Sequence, residues 1–135
     1  MKKILFFLFT VGLFAATASV SAQASATPKV ILNGYCENFD DSFCELNAYG
    51  SVGWKINFAM RSDIPATAWE WEKVSGSFIF TSGNGVTAEP VNNGDKNVSQ
   101  AATIQINGSG HIMFKIRAKN ANGWGQWKYV GWYPK

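Results

Sequence analysis

Glu70 and Glu72 stand two residues apart in Trp69-Glu-Trp-Glu72. On a strand that spacing puts both carboxylates on one face. Paired carboxylates flanking a bond are the apparatus of glycoside hydrolysis. The competing reading is a solvated strand face on which they pair across strands with Lys115, Arg117 or Lys119. We carry the second reading forward and keep a small hydrolase as the weaker alternative. The three cations alternate along their own strand and read as an outward face, with an anionic ligand as a minor option. His111 is the single histidine. Nucleophilic catalysis would need a Ser or Cys beside it and an acid to orient it. Nothing local supplies these, so His111 reads as a polar residue opening a strand. No catalytic residue is assigned, and the chain is expected not to be an enzyme.

Two cysteines occur, in Tyr35-Cys-Glu-Asn-Phe-Asp-Asp-Ser-Phe-Cys-Glu45. In an exported chain an isolated pair reads as a disulfide. A redox pair or a metal site is the alternative. The spacing is not C-x-x-C, and no further Cys or nearby His completes a metal set. The disulfide Cys36–Cys44 would close an acidic loop. Glu37, Asn38, Asp40, Asp41 and Glu45 could offer oxygens to calcium, but no EF-hand spacing is present. An exposed acidic loop is expected, with no metal and no cofactor.

Aromatic residues are the most informative feature. The six tryptophans are Trp54, Trp69, Trp71, Trp124, Trp127 and Trp132. Trp54, Trp69 and Trp71 sit in alternating stretches and are expected in the core. In Gln126-Trp-Lys-Tyr-Val-Gly-Trp-Tyr133, alternation puts Trp127, Tyr129 and Tyr133 on one face and Val130 and Trp132 on the other, with Gln126 and Lys128. One aromatic set should therefore be at least partly exposed. Trp124, between two glycines, is expected to be exposed as well. Exposed rings mark recognition surfaces, so Trp124, Trp127 and Trp132 are the candidate ligand-binding residues.

These residues must be positioned by a domain, and the N-terminus says where that domain works. Met1-Lys2-Lys3 is a basic head. Ile4 to Ala18 is apolar apart from Thr10 and Thr17, and small residues follow from Ser19 to Ala26. This is the pattern of a secretory signal peptide. Its apolar run falls short of the roughly 20 residues of a spanning helix, so an uncleaved anchor is the lesser reading. Cleavage fits after Ala22, Ala24 or Ala26, and Ala22 is favoured. Residues 1–22 are then the signal peptide, 23–28 a short linker and 29–135 one domain. The full chain carries 12 basic and 9 acidic residues, formally +3. Removing Lys2 and Lys3 leaves 10 against 9. The basic balance therefore gives no argument for nucleic acid, which needs a clustered patch. A secreted, periplasmic or cell-surface destination is expected, without a membrane span after cleavage.

Beyond the signal, alternation dominates over helical periodicity. Val30 and Leu32, then Trp54 to Met60, Trp69 and Trp71, Ser77 to Thr81, Val86 to Val91, Ala102 to Ile106, Ile112 to Ala118 and Gln126 to Tyr133 read as strands. Pro90 suits an edge strand. Ser82-Gly-Asn-Gly85, Asn92-Asn-Gly-Asp95, Asn107-Gly-Ser-Gly110 and Asn120-Ala-Asn-Gly-Trp-Gly125 read as turns. Seven or eight strands at this spacing predict an all-β fold, an antiparallel immunoglobulin-like β-sandwich preceded by the signal-peptide helix. An up-and-down barrel is the alternative.

The stretch Ala68-Trp-Glu-Trp-Glu-Lys-Val-Ser-Gly-Ser-Phe-Ile-Phe-Thr-Ser-Gly-Asn-Gly85 resembles the middle of PKD-like domains of bacterial secreted proteins. Gly110-His-Ile-Met-Phe-Lys-Ile-Arg-Ala-Lys-Asn-Ala-Asn-Gly-Trp-Gly-Gln-Trp127 resembles their late hairpin, and the penultimate hairpin of fibronectin type III domains. The resemblance covers about half of the mature chain and leaves out the cysteine loop. It implies a spacer or binding module. The expectation is a non-catalytic binding or adhesion module that meets a glycan or protein through its C-terminal aromatics. A structural subunit of an extracellular assembly, docking by an edge strand, is the alternative.

Overall fold

A computed structural model of the chain describes residues 26–47, 49–87 and 102–135. The expected signal-peptide helix, the turn at Asn92–Asp95 and the end of the Val86–Val91 strand lie outside them. The described residues form an all-β arrangement of short strands. In chain order these are β1 (Val30–Leu32), β2 (Phe43–Leu46), β3 (Lys55–Phe58), β4 (Met60–Ser62), β5 (Ala68–Ser75), β6 (Phe78–Ser82), β7 (Gly85–Thr87), β8 (Ala102–Ile106), β9 (Ile112–Asn120), β10 (Gly123–Trp124) and β11 (Lys128–Trp132).

Hydrogen bonding sorts them into three groups. The largest sheet runs β2-β11-β9-β5-β7, with β10 paired to β9. A second sheet runs β3-β8-β6, and β1 pairs with β4. Lys55 to Ser62 belongs to two groups because the pairing changes partner at Ala59. Ala59 gives its carbonyl to Asn33 N–H at 2.8 Å, so the chain leaves β8 and continues beside β1.

Period-two patterning explains which faces are buried. Ile112, Phe114, Ile116 and Ala118 point inward from β9, and Trp69 and Trp71 join them from β5. Phe58, Phe78, Ile104 and Ile106 supply the opposing face. Phe114 is the meeting point, with ring centroids 5.5 Å from Phe58, 5.9 Å from Trp71 and 6.3 Å from Phe78. The turn from β5 to β6 passes so close to β9 that only glycine fits. Gly76 has φ +94°, and a Cβ there would lie 2.6 Å from the His111 carbonyl oxygen.

Two expectations need correction. The sheets are mixed rather than wholly antiparallel, because β2 runs parallel to β11, pairing Phe43 with Tyr129 through Leu46 with Trp132. The cysteine segment therefore contributes an edge strand where only a loop was expected. Trp54 is 55% exposed rather than in the core. Its alternation with Ile56 and Phe58 is right, but it stands in the Ser51–Trp54 turn at the end of its sheet, beyond the covered part. Among the described residues β7 is the last strand of its sheet; Pro90, on which the expected edge character rests, lies outside them.

Candidate functional site

A polar cleft of about 310 Å³ is built by three segments distant in sequence. One wall is the N-terminal stretch, with Thr27 and Lys29. The second is the cysteine loop, with Phe39, Asp40, Asp41 and Ser42. The third is the approach to β11, with Gln126, Trp127 and Lys128. Cys36 and Cys44 are joined as a disulfide with a Cα–Cα distance of 6.1 Å, which fixes the loop at both ends. A second recess of about 370 Å³ lies beside the same loop and shares Asp41 and Lys128 with the first.

The charges of the cleft are arranged in pairs. Lys29 Nζ donates to Asp40 Oδ1 at 2.5 Å. That hydrogen bond and charge hold the Asp40 carboxyl below the usual carboxylate range and raise the Lys29 amine. Both groups are exposed, so the pair contributes little to stability. Lys128 is different. Its strand parity places it inward with Val130 and Trp132, and it is 3% exposed. Its Nζ reaches the loop and donates to the Asn38 carbonyl. Burial pushes its pKa below that of an ordinary lysine, partly opposed by the charges of Asp41 and Asp40.

Behind Trp127 lies a ladder of cations and rings on the outward face of β9. Lys115 Nζ is 4.3 Å from the Trp127 ring centroid, and the Arg117 guanidinium is 4.1 Å from it. Arg117 is also 4.5 Å from the Trp124 ring, and Lys119 is 5.7 Å from the same ring. The order is thus Lys115, Trp127, Arg117, Trp124, Lys119, held by cation–π attraction. The carboxylates across the strand complete it. Glu70 accepts from Arg117 at 2.6 Å and Glu72 pairs with Lys115 at 3.4 Å. The expected cross-strand pairing of Glu70 and Glu72 is therefore present, and neither carboxylate borders the cleft.

At the other end of β11, His111 Nε2 lies 3.2 Å from Glu45 Oε2 and its ring lies 4.6 Å from that of Tyr133. Gly131 makes this possible, since a Cβ there would run into both Glu45 Oε2 and His111 Nε2. His111 does open a strand, as expected, but it also ties β9 to β2 across β11.

The three candidate tryptophans do not form one surface. Trp132 is wholly buried, 6.2 Å from Phe58 in an edge-to-face contact. Parity is the reason: its face of β11 is the one that meets the core. Trp124 and Trp127 are half-buried, with cations against their rings. Trp127 alone reaches the cleft. The outward aromatics of the last strand are Tyr129 and Tyr133. Sequence reasoning missed Lys128, Gln126, Thr27 and Lys29. Lys128 shares the parity of Val130 and Trp132, but parity alone does not tell that this face of β11 meets the core.

No family model matches the chain, and no curated protein matches it. Among solved structures, the chain is similar to a nucleoside hydrolase-related hypothetical protein from Saccharophagus degradans that is associated with carbohydrate metabolism. The TM-score is 0.47 at 16% identity, over 82% of this chain and 26% of that one. The chain thus spans about a quarter of that protein's length. The expected adhesion module, reading a glycan or protein through Trp124, Trp127 and Trp132, is withdrawn: one ring is in the core, and the other two are stacked with cations of their own sheet.

Proposed function

We propose that the chain is an exported, immunoglobulin-like β-sandwich whose working site is the cleft between the disulfide loop and Trp127, and that this cleft takes a small polyhydroxylated compound of mono- to disaccharide size. The sandwich reading rests on the order of the strands, with β2-β11-β9-β5-β7 in one sheet and β3-β8-β6 opposite, their apolar faces meeting at Phe114. It agrees with the PKD-like resemblance. The export reading rests on the apolar leader and the disulfide.

The observation that carries the ligand reading is convergence. Asp40, Asp41, Thr27, Ser42 and Gln126, all bearing donors or acceptors, line one concavity of about 310 Å³. A mixed set of donors and acceptors in one concavity suits a compound bearing several hydroxyls. Asp40 is engaged by Lys29, so Asp41 is the carboxylate that would accept from ligand hydroxyls.

The test is a panel of mono- and disaccharides added to the ¹⁵N-labelled protein, with the sugar spectra followed in the same tubes for conversion. Shifts confined to the Trp127 indole and the loop residues, abolished by Asp41→Asn, support the reading. Unmoved resonances across the panel would remove it.

A further inference from the structure

The end of the molecule opposite the cleft carries an exposed apolar surface of its own. Leu46 and Trp132 close β2 and β11 there, Ile106 closes β8 and Ile112 opens β9. Lys128, which borders the cleft, stands at the far end of β11. In the connection from β2 to β3, Tyr49 is 81% exposed, Val52 56% and Trp54 55%. The connection is held in this shape from both sides. Gly53 N–H donates to the Ile106 carbonyl at 2.7 Å, and Ile106 N–H to the Trp54 carbonyl at 3.0 Å. On the other side Lys135 N–H donates to the Gly50 carbonyl at 2.7 Å, and Ser51 Oγ to the Lys135 carbonyl at 2.8 Å. Gly50 itself lies against the buried Trp132 ring, in room that a Cβ would overfill. Large apolar side chains held together in water mark a contact surface.

Charge says what this surface meets. Lys55 follows Trp54 and is exposed, and Lys135 Nζ stands 5.6 Å from the Tyr49 ring centroid. The connections at this end, residues 47–54, 76–77, 107–111 and 133–135, contain no Asp or Glu. Glu45, just ahead of them on β2, is engaged by His111. We propose that this end docks on the surface of a bilayer containing anionic lipid, with Tyr49, Val52 and Trp54 entering the interface and Lys55 and Lys135 at the headgroup phosphates. Indole and phenol rings settle at the membrane–water boundary, and lysines beside them add attraction to an anionic leaflet. The contact is interfacial and needs no spanning segment. Neither recess of the cysteine loop includes these residues, so docking leaves the cleft open on the side away from the lipid. Nothing in the proposal depends on what the cleft binds.

The exported chain should be sedimented with vesicles of phosphatidylcholine alone and of phosphatidylcholine with an equal part of phosphatidylglycerol. Binding to the mixed vesicles is expected, and about tenfold weaker binding to phosphatidylcholine alone. Tyr49→Ser/Val52→Ser/Trp54→Ser should weaken binding to the mixed vesicles about tenfold or more, and Lys55→Gln/Lys135→Gln about fivefold or more. Both variants should melt within a few degrees of the wild type, since every changed side chain is exposed. Brominated acyl chains should quench the wild-type tryptophan emission, and Trp54→Phe should remove most of that quenching, which separates this surface from any leader still attached. Wild type left in the supernatant, quenching that survives in Trp54→Phe, or variants that bind as tightly as wild type would overturn the proposal. So would a dimer in vesicle-free buffer that the triple variant breaks, because a second copy would then be what covers the surface.

Discussion

Arg117 and Glu70 face each other across the β5–β9 register, and the guanidinium that binds this carboxylate at 2.6 Å is the same one that lies against both Trp127 and Trp124. One side chain therefore joins two strands and the connection that leads into β11. Arg117→Ala should lower unfolding free energy by about 2 kcal/mol, from a charge-assisted hydrogen bond and two ring contacts. It should also change the near-ultraviolet circular dichroism of the indoles. Arg117→Lys keeps the charge but not the planar stack, so it should recover only part of both. Urea melts of the three proteins measure this. An Ala variant as stable as wild type would show that the ladder is ornamental.

Trp132 and Trp54 should behave oppositely when truncated. Trp132→Ala opens a cavity beside Phe58 and should cost about 3–5 kcal/mol. Trp54→Ala removes an exposed ring and should cost less than about 1 kcal/mol. Thermal denaturation of each variant gives the comparison.

Lys128→Met tests a buried amine. Replacing a buried charge by an apolar side chain of similar length is often neutral or stabilising, so no large loss is expected at neutral pH. Because burial lowers the folded pKa of Lys128, the unfolded chain binds more protons between that value and 10.5. Wild-type stability should then rise with pH through this window, relative to the Met variant. Denaturant titrations of both proteins at pH 7 and pH 10 give the difference. A gap that stays constant, or moves the other way, would refute the assignment.

Removing the disulfide should cost about 2–3 kcal/mol, the loop-entropy value for so short a bridge. The loop also covers Lys128, so Cys36→Ser/Cys44→Ser should make that amine acetylate faster than in the wild type. Peptide mapping after brief treatment with an acetylating reagent reads the rate at Lys128.

Gly131→Ala should push apart Glu45 and His111, the two groups that occupy the space above Gly131. A loss of about 1–3 kcal/mol is expected. Hydrogen exchange should rise selectively in β2, the strand that Glu45 belongs to.

Much of the fold was legible because alternation is a local signal. Ile112 to Ala118 and Ala102 to Ile106 show their buried faces in the sequence, and Glu70 and Glu72 show their outward one. Trp132 also declared its parity, but parity does not say which face meets a core; only the opposing sheet does. The strand at Phe43–Leu46 was hidden for a different reason. Its partner β11 lies more than 80 residues away and runs parallel, so no hairpin turn announces it. The cleft was illegible for the same cause: its walls come from the N-terminus, the cysteine loop and the segment before β11, and no local pattern joins Thr27, Asp41 and Trp127.

That parallel pairing has a consequence for how the chain matures in time. β11 lies between β2 and β9, so the strand made near the beginning has no seat until residues 128–132 have arrived. A chain threaded outward from its N-terminus would display β2 without its strand partner for nearly the whole passage. Closure must wait for a contact of high sequence separation, which is slow to form. The cysteine bridge can form early, but it can find its place only at the end, and the interval between the two is when this protein would most need protection from its neighbours.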